Sequence, residues 1–224
     1  MSSFDSVASI YDVVLPAHVS DHYYNKRIRF LSGIAAGGRV LDVCAGTGRI
    51  ARGLADLGCE ACGLDLSFEM LKVREEDTGY RRVQANSRQV PFRDNTFDLS
   101  VSIAAMHHVA SKEGVRDTLC EMQRVTKPGG HIVIWDHNPL NPYWKILMKR
   151  VPQDTGEERL IGLAEIVSHF DEQHFSVKSY KMGFMPDFVP KPMVPLFRIL
   201  EKIVESLPVV NMLAAHNVVV AKKH

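Results

Sequence analysis

The chain contains no uninterrupted run of the eighteen or so apolar residues that a membrane-spanning helix needs. Its opening, MSSFDSVASIYD, carries Asp5 and Asp12 where a secretory signal would have basic residues followed by an apolar core, so a cytoplasmic location is expected. Cysteine is scarce: Cys44, Cys59, Cys62 and Cys120 are too few and too irregularly spaced for a disulfide framework. Charge of one sign is lacking too, since 27 Lys and Arg against 26 Asp and Glu leave a net charge of +1. A protein built chiefly to grip nucleic acid needs a basic excess to displace counterions from phosphates, so nucleic acid is not an expected partner. No internal repeat or low-complexity tract is present. What remains is an ordinary globular composition, 46% hydrophobic and 24% charged over 224 residues, long enough to bury a substantial core.

Along the chain the apolar pattern changes character. Phe4, Val7, Ala8 and Tyr11 fall at helical spacing and predict an amphipathic helix before Pro16. A second helix is expected over about 20–31, with Tyr23, Tyr24, Ile28 and Leu31 on its apolar face. From Arg39 short apolar runs alternate with helical stretches. RVLDV reads as a strand, AGTG as a turn, Ile50 to Leu57 as a helix closed by Gly58, and EACGLD as a strand. Then follow a helix over 68–76, a weak strand YRRVQAN, the clear strand FDLSVSI, a helix over 112–124, a KPGG turn and the strand HIVIWD. This order predicts an α/β fold with a parallel sheet covered on both faces. A helix near 156–170, the strand FSVKSYKMGF and the closing HNVVVAKK suggest an antiparallel pair at the sheet edge. Between those two strands lies a Pro-rich insertion with one helix, roughly 194–206.

The most informative segment is Val40-Leu-Asp-Val-Cys-Ala-Gly-Thr-Gly-Arg-Ile50. A strand runs into a glycine turn and then a helix, so ligand atoms can approach bare backbone amides at the helix start. Asp65 closes the next strand, where a carboxylate can accept hydrogen bonds from ribose hydroxyls. Read alone, this loop says an adenosine cofactor without saying which, because Gly46-x-Gly48-x-x-Ala51 also fits the dinucleotide pattern of nicotinamide oxidoreductases. Asp42, immediately before the loop, would repel a pyrophosphate but attract an amino group. Asn86 and Ser87, after the third strand, can bond an adenine edge. Both favour S-adenosylmethionine over NAD.

With these residues in place, the chain resembles the class I S-adenosylmethionine-dependent methyltransferases of the small-molecule type 11 branch. The resemblance rests on VLDVCAGTG (40–48), GLDLSFEML (63–71), ANSRQVPFRDNTFDLSVS (85–102), HHV (107–109) and RVTKPGG (124–130), in the family's order and spacing. It implies a Rossmann-like three-layer sandwich whose seven-stranded, mostly parallel sheet ends in an antiparallel C-terminal edge strand. It implies that Ala45, Gly46 and Gly48 line the methionine portion of the cofactor, that Asp65 holds the ribose, and that Leu66 and Met70 pack the adenine. Asn86 and Ser87 would read the adenine edge, Ser102 and Ile103 would close the site beside the methyl group, and Tyr11 would fold over the cofactor. Two positions depart from the family: Cys44 stands where glycine is usual, with little expected loss, and Asn86 where Asp is commoner.

The expected activity is methyl transfer to a small, hydrophobic metabolite. Such a transfer needs alignment and exclusion of water, with a base only where the acceptor must lose a proton. Candidate bases are His137, preferred for its place at the start of the acceptor-side loop, and His107; Asp136 is a further candidate, and His108 reads as structural. Cys59 and Cys62, three apart on a strand, face opposite sides, and no metal site is expected. Met193, Leu196, Phe197, Leu200, Ile203, Val204 and Leu207 form a helical stripe expected to pack inward, with an acceptor wall or membrane contact as the sharper alternative. Lys191, Arg198 and Lys202 there are matched by Asp187, Glu201 and Glu205. One domain over 1–224 is expected, with a helical lid (1–38), a cofactor-binding half (39–136) and an acceptor side with the edge strands (137–224). A nicotinamide-dependent oxidoreductase and a fold that binds the cofactor without transferring from it are the alternatives, and the oligomeric state is open.

Overall fold

The computed structural model describes residues 3–73, 79–109, 111–151 and 158–224. Two 3₁₀ turns, Ser3–Ser6 and Ala8–Val13, stand where the sequence predicts one amphipathic α-helix. Then come α1 (Ala17–Ala35), β1 (Arg39–Val43), α2 (Arg49–Ala55), β2 (Glu60–Asp65), α3 (Phe68–Lys72), β3 (Arg81–Gln84) and β4 (Phe97–Ile103). The second half contains α4 (Lys112–Val125), β5 (Thr126–His137), α5 (Trp144–Leu147), α6 (Leu163–Val167), β6 (Phe175–Met182), α7 (Val194–Ser206) and β7 (His216–Lys223). The predicted helices over 68–76 and 156–170 run partly outside the described residues; within them, five residues of each are helical. KPGG is part of β5 rather than a turn before it, entered through a register shift opposite Phe97 and Leu99.

The seven strands lie in the order β3-β2-β1-β4-β5-β7-β6, with β7 antiparallel to both β5 and β6. Side chains alternate across the sheet, so β5 sends Ile132 and Ile134 to one core and Val133 and Trp135 to the other. The first core packs under α4 with Val115, Leu119 and Met122, the second under α1 and α2 with Leu31 and Leu54. Each such fully buried side chain contributes about 1.5–3 kcal/mol of transfer free energy. Cys62 belongs to the first core and Cys59 to the second, opposite faces as their spacing requires.

Strand order reverses at β1, which is flanked by β2 on one side and β4 on the other. Helices cross to opposite faces there and leave a crevice beyond the carboxyl ends of the strands. The Pro-rich insertion closes that crevice from one side. Its apolar stripe splits: Val194 is buried with Val19, Met185 and Val189, Phe197 packs against them, and Leu196, Ile199, Leu200, Ile203 and Leu207 remain exposed. The inward face of α7 is partly acidic. Glu201 meets Nε2 of His22 at 3.0 Å and Nζ of Lys26 at 2.5 Å, and accepts the Phe184 N–H at 2.6 Å. Burial opposes its ionisation, but His22 and Lys26 overcome that and hold Glu201 at about 2. Glu201 and Glu205 are therefore spent on Lys26 and do not balance the cations on the outer face.

Candidate active site

Above β1, β4 and β5 lies a cavity of about 900 Å³. Of the twelve residues expected to bind the cofactor, Tyr11, Asp42, Ala45, Gly46, Asp65, Leu66, Met70, Asn86, Ser87 and Ile103 line it. Gly48 and Ser102 are not among its walls. Gly48 adopts φ +76, and a Cβ there would sit 1.8 Å from the Tyr80 hydroxyl oxygen, so this glycine serves the turn and its close packing. Ser102 is buried on the strand β4 that presents Ile103 to the cavity, and alternation turns it away.

The loop geometry follows from backbone chemistry. Cys44 and Gly46 both adopt left-handed conformations, φ +58 and +56. In this conformation a Cβ crowds the following carbonyl at about 1–2 kcal/mol, so the departure at Cys44 costs more than the sequence suggests. Cys44→Gly is expected to stabilise the fold by about 0.5–1 kcal/mol after the larger unfolded-state entropy of glycine is deducted. A thermal melt with an unchanged or lower Tm would count against that.

Asp65 accepts the Gly46 N–H through Oδ2 and the Ser67 N–H through Oδ1, both at 2.8 Å. These bonds fix the carboxylate at the cavity wall and leave lone pairs for a ligand's hydroxyls. Asp42 is buried, with Oδ2 accepting the Ala51 N–H at 3.1 Å, and burial pushes its carboxyl up to about 7. A cationic group beside it would restore the carboxylate. The N-terminal segment is tied over this end: Thr47 Oγ1 donates to Asp12 Oδ1 at 3.1 Å and Ser67 Oγ to Asp5 Oδ1 at 2.6 Å. These ties bring Phe4 and Tyr11 to the cavity, with Phe4 edge-on to His108 at 4.8 Å between ring centres.

The other end is built from β5, β7 and α5. His107 is 2% exposed; its Nδ1 meets Asp136 Oδ1 at 2.6 Å, and its backbone N–H donates to Asp136 Oδ2 at 3.0 Å. Asp136 also accepts the His137 N–H at 2.6 Å. The His137 ring stacks on Trp144 at 3.5 Å and on His107 at 4.1 Å, and its Nδ1 is buried without a hydrogen-bond partner. Burial pushes the His137 and His216 imidazoles well below the usual histidine range, and His108 down to about 3. His107, Asp136 and His137 each place a donor atom within 4.8 Å of the others, close enough to share a cation. The 2.6 Å contact and the two backbone donors on Asp136, however, are those of a hydrogen-bonded imidazole–carboxylate pair. Of the two candidate bases, His107 has its ring oriented by a carboxylate, whereas His137 Nδ1 has no hydrogen-bond partner among the described residues.

Several walls escaped the sequence reading. Trp144 sits on the short helix α5, and its indole N–H donates to the Ala215 carbonyl at 2.6 Å. His216 faces His137 across the β5–β7 ladder, a pairing visible only once register is known. Arg27 lines the cavity from α1, four residues after Tyr23; that spacing was readable, but nothing in it marked the arginine as inward.

Comparison with known proteins places residues 41–134 within the methyltransferase domain model. The chain is 31% identical over 186 residues to a demethylmenaquinone methyltransferase of Paenarthrobacter aurescens, covering 76% of this chain and 72% of that protein. It is 37% identical over 153 residues to a ubiquinone/menaquinone biosynthesis C-methyltransferase of Hahella chejuensis, covering 62% and 60%. In fold it resembles a solved SAM-dependent methyltransferase of Thermotoga maritima with a TM-score of 0.72 at 16% identity, over 99% of each chain.

Proposed function

This chain belongs to the class I S-adenosylmethionine-dependent methyltransferases of the type 11 branch, and we propose that its acceptor is a quinol-type aromatic carrying an apolar chain. Membership implies S-adenosylmethionine as the methyl donor, and the walls fit it. Asp42 offers a carboxylate to an ammonium, Asp65 offers anchored oxygens to ribose hydroxyls, and Met70 with Leu66 offers an apolar slot for a purine. Asn86 and Ser87 border that slot, and residues 1–38 act as the lid through Asp5, Asp12 and Tyr11. When bound, the cofactor supplies a sulfonium-activated methyl group to an in-line nucleophile.

The observation that carries the acceptor reading is the His107–Asp136 pair set in an apolar aromatic end of the cavity. A ring carbon of a quinol becomes nucleophilic when its hydroxyl loses a proton. Asp136, accepting from Nδ1, leaves Nε2 of His107 as the basic atom, and buried surroundings keep water out of the transfer. Trp144 and His137 give the aromatic acceptor a stacking surface. The same end opens onto Phe188 and Leu213, which both line the cavity and stay exposed, an exit for an apolar chain. The relatives in Paenarthrobacter and Hahella are named for menaquinone and ubiquinone methylation, and support the same class.

Calorimetric titration with S-adenosylhomocysteine and with NAD, followed by labelled methyl transfer to reduced short-chain demethylmenaquinone, tests this reading. Expected are S-adenosylhomocysteine binding, no NAD binding and label on the quinol. Label on none of a panel of quinols would remove the acceptor class.

A further inference from the structure

Arg27 lines the cavity, and its guanidinium has no counter-ion among the described residues. Among the described residues no carboxylate lies within ion-pair distance of it, and its Nε is buried without a hydrogen-bond partner. It sits over the rings of Tyr23 and Trp135, 5.8 and 5.9 Å from their centres. The other titratable groups facing it are Tyr11, Arg49, Asp136, His137 and His216. Of these Asp136 is the acid, and it is engaged by His107 and the His137 N–H. A charge withdrawn from water without a counter-ion is costly, and two cation–π contacts near 6 Å offset only part of that cost. Among the described residues, then, the cavity holds a cation without a balancing charge. Its neighbours are the ends of β5 and β7, through Trp135, His137 and His216, together with Tyr11 and Arg49 from the cofactor side.

We infer that Arg27 is the counter-ion for an anionic oxygen on the acceptor, a phenolate or enolate, held beside the His107–Asp136 pair. This inference rests on the methyl-transfer reading for the origin of the anion. Removal of the hydroxyl proton by His107 leaves the negative charge on that oxygen, and Arg27 would stabilise it while the ring carbon takes the methyl group, the sulfonium C–S bond breaking with its electron pair left on sulfur. The proton on that carbon then leaves to His107, once it has released the first, and the aromatic ring is restored. The charge is then strongest in the interaction as the proton leaves, where stabilisation accelerates the reaction.

Binding separates this inference from turnover. With saturating S-adenosylhomocysteine, the protein is titrated with para-nitrophenolate and with the neutral para-nitroanisole. The wild type is expected to bind the phenolate about tenfold tighter than the ether, a factor ordinary for one charge-assisted hydrogen bond. The bound phenol should also ionise at lower pH, read from its visible phenolate band. Arg27→Met should abolish both preferences, Arg27→Lys should keep part of them, and S-adenosylhomocysteine affinity should stay within about threefold. Because Arg27→Met removes a charge whose Nε is buried without a partner, its Tm should not fall. Equal affinity for the two probes in the wild type would overturn the inference. So would a parallel loss of S-adenosylhomocysteine affinity in Arg27→Met, which would give the guanidinium to the cofactor's carboxylate. A protein that binds the phenolate yet labels no quinol would fail the acceptor reading alone.

Discussion

His107→Gln is expected to lower kcat by about 10²–10⁴-fold, the range supplied by a positioned general base, while S-adenosylhomocysteine affinity stays within about threefold. Glutamine can keep a bond to Asp136 Oδ1 but has no basic nitrogen to take a hydroxyl proton. Asp136→Asn should fall in the same range by another route. An amide presented to Nδ1 favours the tautomer with its proton on Nε2, which points an N–H where a lone pair is needed. His137→Ala is expected to do less, raising the acceptor KM by removing the ring stacked between Trp144 and His107. The split between kcat and KM distinguishes base from platform. A His107→Gln protein that melts normally and keeps more than about a third of wild-type kcat would end the assignment.

How much of this was legible in the sequence follows a physical line. The cofactor end is written in local code: a strand, left-handed turn and helix within eleven residues, then an aspartate one strand later, so the loop around Gly46 and the position of Asp65 could be read directly. Even there, alternation decided details that motif matching does not, since it turns Ser102 into the core and leaves Ile103 on the cavity. The acceptor end is written in register. His137 meets His216 only because β7 pairs antiparallel with β5, and Trp144 reaches His137 only because a short helix follows the strand. Arg27 and Glu201 could not be ranked from sequence, because an amphipathic pattern does not say which polar residue a helix turns inward. In α1 and α7 the inward polar residues carry the packing between the N-terminal helix and the insertion, and the apolar residues of α7 that pattern alone would bury stay outside.

Acidification should destabilise the protein well above the usual carboxylate range. His108, His137 and His216 are held below the ordinary value of 6.5, chiefly by burial. Below 6.5 the unfolded chain takes up protons that the native state refuses, so more protons are bound in the unfolded state and stability falls with pH. Between about pH 7.5 and 5.5 a histidine that stays neutral in the fold costs at most about 1.4 kcal/mol, or at most about 4 kcal/mol for three, against a total stability of roughly 5–15 kcal/mol. Asp42 works in the opposite sense. Its folded value of about 7 lies above the ordinary 3.8, so the native state gains a proton over the same interval. That returns about 2 kcal/mol. Glu201, held at about 2 in place of 4.5, adds its loss only below that window. The wild type should therefore lose up to about 2 kcal/mol over this range, and Asp42→Asn, in which the offset is gone, about 2 kcal/mol more. Urea denaturation at the two pH values measures both differences. Equal losses in the two proteins would mean that Asp42 is ionised throughout, and no loss in either would mean that the three imidazoles titrate freely in the folded state.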